Sequence, residues 1–134
     1  MIKITNPEKT ATPVSIFDRV KTVEDAFNVL GITGDVATIE LHKRLEKHEP
    51  ALAAQLKLFV VVEALNEGWK PDWNNTDQRK YYPWFDLENE FSLDHVNFDF
   101  RYSHVSSRLC FRDEKTARYA AGQFLDLYKT YFTI

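Results

Sequence analysis

Apolar residues change their spacing about halfway along the chain. From Thr22 to Glu67 they recur at helical intervals, and from Arg79 to Arg112 they fall in short alternating runs. Thr22 suits an N-cap, with Glu24 and Asp25 in the following turn, where the helix dipole favours acids. Val23, Ala26, Phe27 and Leu30 then share one face, Gly31 supplies the stop, and Gly34 with Asp35 makes the next break. A second helix is expected over Thr38–Lys47, with Ile39, Leu41 and Leu45 apolar and the rest charged, as on a surface. Pro50, which has no N–H to lose, fits the first turn of a third helix running to Glu67. That helix is apolar on nearly every side, so it should be buried on most of them. The β-branched run Val60–Val62 also reads as a strand, but its helix-forming flanks and the length of the pattern favour helix.

Beyond Gly68 the texture changes. The stretch from Trp69 to Asp77 is rich in turn residues and reads as a loop. Three strand-like runs follow, Arg79–Leu87, Asn97–Ser103 and Ser107–Arg112, and their closeness in sequence favours an antiparallel meander. Pro83 marks the first as an edge or a bulge. The second alternates strictly, with Phe98, Phe100 and Tyr102 on one face and Asp99, Arg101 and Ser103 on the other. A final helix is expected from Asp113, as N-cap, to about Tyr131, with Ala117, Ala120, Ala121, Phe124, Tyr128 and Tyr131 inward and Gly122 allowing close approach of a neighbour. Residues 1–15 read as an N-terminal arm, with Ile2 and Ile4 able to form a short edge strand. The expected architecture is therefore α+β in one domain over residues 16–134: N-terminal helices, about three antiparallel strands, and a C-terminal helix packed on one face.

Composition constrains function mainly by exclusion. The 134 residues carry 17 Lys and Arg against 20 Asp and Glu, a net charge of −3, so bulk charge does not hold this chain to nucleic acid or anionic lipid. The longest apolar run, Leu58–Val62, is far too short to span a bilayer, and no signal peptide is visible at Met1. One cysteine, Cys110, precludes an internal disulfide. These features predict a cytoplasmic protein without membrane attachment, complete as a small protein.

The candidate chemistry is aromatic. Ten of the 19 aromatic residues lie between Trp69 and Tyr102, and most should be core. Trp69, Trp73 and Trp84 are the expected exceptions, because they sit in or beside the loop and their indole N–H groups need partners. The cations Lys70, Arg79, Lys80, Arg101, Arg108 and Arg112 invite a phosphate-binding reading, but seven acids share the same span, so the fold would have to segregate the signs. A cross-strand pair between Asp99 and one of the arginines is the plain structural alternative. His42 and His48, and the grouping of Asp94, His95, His104 and Asp99, match no metal-ligand spacing, and neither a metal nor a cofactor is expected. Cys110, between Leu109 and Phe111, reads as an inert core thiol, and four glycines leave no phosphate-binding loop.

The words Ala64–Trp73, Lys80–Phe85, Ser107–Phe111 and Ala120 to Phe124 resemble a group of small proteins recurring in phages and prophages of Bacteroidetes. The resemblance covers roughly residues 50–134. It implies a phage-related or mobile-element setting and carries no catalytic residues. Together these readings predict a non-catalytic accessory or binding protein. Its partner surface would comprise Trp69, Trp73, Arg79, Lys80, Tyr81, Tyr82, Trp84, Arg101 and Arg108, meeting a protein partner or a second copy. The alternative is a single-stranded nucleic-acid binder stacking bases on Trp73, Tyr81, Tyr82 and Trp84 beside Arg79 and Lys80.

Overall fold

The helix that is apolar on all sides organises the molecule. In the computed structural model, which describes residues 14–32 and 36–134, it runs over Pro50–Asn66 (α4) with Pro50 in its first turn. Leu58, Val61, Val62 and Leu65 are sealed from solvent, each stabilising the fold by about 1.5–3 kcal/mol. Around α4 lie α2 (Val23–Val29), α3 (Val36–His48) and α6 (Leu125–Thr133). A single turn, α1 (Ile16–Arg19), leads into α2, whose Thr22 and Asp25 form a reciprocal capping box. The residues expected to form an N-terminal arm lie outside the described residues except for Val14 and Ser15, as does the break at Gly34 and Asp35.

The fold is α+β, as the hydrophobic pattern predicts, with six α-helices and a two-stranded antiparallel sheet among the described residues. Strand β1 (Lys80–Asp86) pairs with β2 (Ser92–Asp99), and α5 (Glu114–Gln123) packs against both. A bulge between Trp84 and Phe85 lets Trp84 face His95 while Phe85 faces Leu93. At the turn end, Phe85 stacks on Phe91 at 4.8 Å and leans on Tyr128 of α6, which joins the sheet to the helical core.

The expected third strand is not formed. Ser107–Leu109 is a 3₁₀ turn, and only Phe111 pairs with β1, exchanging both backbone bonds with Tyr81. The reason lies far away in sequence. The buried side chain of Asn66 donates to the Cys110 carbonyl at 2.9 Å and accepts from the Arg112 amide at 3.2 Å. One side chain thus satisfies backbone groups that a strand ladder would have used. The second strand also shifts, ending at Asp99 instead of Ser103. Asp99 Oδ1 accepts the amides of Phe100 and Tyr102 at 2.7 and 3.2 Å, turning the chain out of the sheet.

The last helix divides at Phe124, two residues after Gly122. Ala117, Ala120 and Ala121 provide the close approach to the core, as their period predicts. Gly122 does not: it is exposed, and a Cβ there would meet nothing within 4 Å. On α5, Tyr119 stacks on Phe17 at 4.6 Å and its hydroxyl reaches the carbonyls of Phe17 and Val20, fastening α1 to the C-terminal half.

Two outcomes test this account. Asn66→Ala leaves a buried carbonyl and amide without partners and should cost about 1–3 kcal/mol in urea denaturation. A loss no larger than the ~0.5 kcal/mol of an ordinary surface change would contradict it. His42 is buried with both ring nitrogens unpartnered among the described residues, its edge against Phe27. Burial first, then the Lys57 charge, holds its pKa below the ordinary 6.5, with Glu46 opposing. The unfolded state therefore binds the proton more readily, and stability should fall as pH drops below 6.5. His42→Leu should flatten that fall in denaturant midpoints measured across the same pH range.

Candidate functional site

The loop after α4 starts with two left-handed residues, Glu67 at φ 48° and Gly68 at φ 88°, which turn the chain back across the helix end. Trp69 lands half-buried, its amide on the Asn66 carbonyl at 2.9 Å. Beside it opens a groove of about 560 Å³, bounded by the ends of α2 and α4, the loop and the 3₁₀ turn. Leu30, Val62, Trp69 and Pro71 give it an apolar lining, with Glu63 and Arg108 among its polar residues. Arg108 lies 4.9 Å above the Phe59 ring and 3.5 Å from Glu63, so stacking and pairing together hold an exposed guanidinium in place. The volume suits an inserted side chain or small ligand.

Lys80 is not at the surface, contrary to the expectation from sequence. It is 1% exposed, and its ammonium donates to the carbonyls of Asn75 at 2.9 Å and Phe100 at 2.8 Å. The same ammonium sits 5.1 Å over the Trp73 ring. Trp73 donates its indole N–H to the Ser107 hydroxyl at 2.7 Å, so its polar tip is engaged internally. Tyr82 is also withdrawn, at 2% exposure, and burial first, then the charges of Asp99 and Cys110, raises its hydroxyl pKa. Tyr81 is half-buried against Phe98.

Three members of the expected set besides Arg108 remain outward. Trp84 is 43% exposed, flanked by His95 at 6.3 Å and His104 at 5.9 Å. Arg79 lies 4.6 Å over Phe98, and Arg101 lies 5.3 Å over Tyr102. The expected pairing of Asp99 with an arginine is replaced by its bonds to backbone amides, chiefly that of Phe100, which lower its carboxyl pKa.

The structure gathers part of the histidine–carboxylate grouping. His95 and His104 share the Trp84 indole, and Asp94 contacts His95 Nδ1 at 2.6 Å, whereas the Asp99 carboxylate turns to the backbone. Among the described residues no group of three or more His, Cys, Asp or Glu side chains is placed to hold a metal ion. Cys110 is fully buried, and desolvation pushes its thiol up to about 11, the reverse of an activated nucleophile. Among the described residues no helix is long and apolar enough to cross a membrane.

Sequence reasoning missed the exposure of Phe98 and Tyr102 and the contribution of Leu30, Val62 and Glu63 to the groove. The neighbours Arg101 and Tyr102 were a local signal for the first. The groove left none, because it joins elements distant in sequence. Comparison with family models, curated proteins and solved structures finds no match to this chain.

Lys80→Met, which keeps the stem but loses two charge-assisted bonds, should cost about 1.5–3 kcal/mol in thermal or urea unfolding. A neutral result would show that the ammonium does not brace the loop. Cys110 should resist a thiol reagent in the native protein and react only on unfolding, and rapid labelling of the folded chain would refute its burial.

Proposed function

We propose that this is a non-catalytic binding protein that receives a protein partner in the groove beside Trp69. The observation that carries the reading is the combination of an indole wall, an apolar lining and the stacked Arg108–Glu63 pair around one cavity of about 560 Å³. Tryptophan and arginine are among the residue types that dominate interface energetics. The buried thiol of Cys110 is not an activated nucleophile. The resemblance of the tryptophan-bearing words to phage and prophage proteins suggests a partner from a phage or other mobile element, and a cytoplasmic setting goes with that reading. A second reading, single-stranded nucleic-acid binding, no longer has Lys80 and Tyr82 at its disposal. It keeps Arg79, Arg101 and Trp84, all exposed.

The groove is tested by comparing wild type with Trp69→Ala/Arg108→Glu, both immobilised and exposed to extract of the native host. A protein retained stoichiometrically by the wild type should be lost by the variant, with affinity for it at least tenfold weaker, while the melting temperature stays within a few degrees. Equal retention by both proteins, or no retention by the wild type together with a strict monomer in light scattering at high concentration, would defeat the proposal.

A further inference from the structure

The open end of the hairpin carries a second arrangement that the groove does not use. The register sets Lys80 opposite Asp99, so Arg79 enters and Phe100, Arg101 and Tyr102 leave at the same end. Arg79 lies over Phe98 at 4.6 Å and within 5.9 Å of Phe100, and Arg101 lies over Tyr102 at 5.3 Å. Phe98 is 39% exposed and Tyr102 66%. Three other arginines, Arg108, Arg112 and Arg118, each meet a carboxylate within 3.6 Å. Arg79 and Arg101 make no ion pair among the described residues. The nearest acid in the pair register, Asp99, directs its oxygen to the amides of Phe100 and Tyr102.

We propose that this end of the hairpin binds single-stranded nucleic acid through Arg79, Phe98, Arg101 and Tyr102. A guanidinium held over a ring can offer its outer face to a base and its N–H donors to a phosphate, so each Arg–ring pair can serve one nucleotide. Two such pairs at one end of a sheet match the stacking platform and cation row of single-strand binders. An acidic protein segment would satisfy the two charges but not the rings. The site rests on the second reading above, not on the groove at Trp69. It also replaces the contacts expected from sequence, since Lys80 and Tyr82 are internal and Trp73 has its indole N–H bonded.

The test is anisotropy of a fluorescein-labelled oligothymidylate titrated with the full chain at low and high salt. Wild type should bind saturably and weaken with salt. Arg79→Ala/Arg101→Ala should bind at least tenfold more weakly, with the log–log salt slope reduced by about 1.4, at roughly 0.7 per cation removed. Tyr102→Ala, at a position too exposed to unsettle the fold, should weaken binding about fivefold or more with the slope unchanged. Lys129→Ala, which removes a cation elsewhere on the surface, should bind as wild type does. Absence of binding at low salt, equal binding by the double variant, or displacement by polyglutamate as effective as by unlabelled oligothymidylate would overturn the proposal. The last result would assign the arginines to an acidic protein segment instead. None of these outcomes depends on Trp69 or Arg108, so failure here leaves the groove untouched, and the converse also holds.

Discussion

A buried ammonium is the constraint on which the hairpin of this molecule turns. Removing a lysine charge from water is costly unless other groups replace its hydration. Here two backbone carbonyls and the face of Trp73 do so. The carbonyls belong to different segments, Asn75 in the loop before β1 and Phe100 just after β2, so one side chain fixes both entrances to the hairpin. Strand alternation then does the rest. With Lys80 turned inward, Arg79 and Tyr81 point to the opposite face, and Arg79 comes to rest on Phe98. Tyr82 follows Lys80 inward, and Trp84, farther along the same face, emerges beside two histidines. The arrangement of arginines and rings at the hairpin end is thus a consequence of where one lysine is bonded.

The helical elements were legible because their determinants are local. The capping box of Thr22 and Asp25, the proline in the first turn of α4 and the all-round apolarity of that helix all act within a few residues. The failures have the opposite character. The run Ser107–Arg112 has strand-like composition, yet Asn66, more than forty residues earlier, occupies the backbone groups on either side of Phe111. Asp99 was read as one half of a cross-strand ion pair, but a carboxylate near a strand end finds consecutive amides closer than any guanidinium. Lys80 was read as a surface cation because lysine is almost never sealed without partners. Its partners are carbonyls, which no residue type announces.

Charge shows the same division. Between residues 68 and 112 the acids and bases nearly cancel, and a binding role needed the fold to separate them. Separation occurs by local pairing. Arg108 takes Glu63, Arg112 takes Glu67 and Asp113, and Asp94 takes His95. Among the described residues Arg79 and Arg101 enter no ion pair and lie over aromatic rings, so two cations without an acid partner meet at one end of the hairpin although the span has no net positive charge. Composition could not reveal this, because it counts charges and not the pairs they enter.

The distribution of burial explains why both candidate surfaces lie where they do. The sealed residues of α4, α5 and α6 supply the hydrophobic stabilisation, and the hairpin joins them through Phe85 and Phe91 at its turn end. At its open end Lys80 and Tyr82 are buried, while Arg79, Phe98, Arg101 and Tyr102 stay at the surface. Exposed rings scattered over a surface need no explanation. Two exposed rings at one end of a sheet, each carrying a guanidinium without an acid partner among the described residues, are a different case. Each arginine gains from its ring about what an exposed ion pair would give, and the four groups stay within reach of solvent. A ligand that offers phosphates and flat faces together would answer both halves of the arrangement at once.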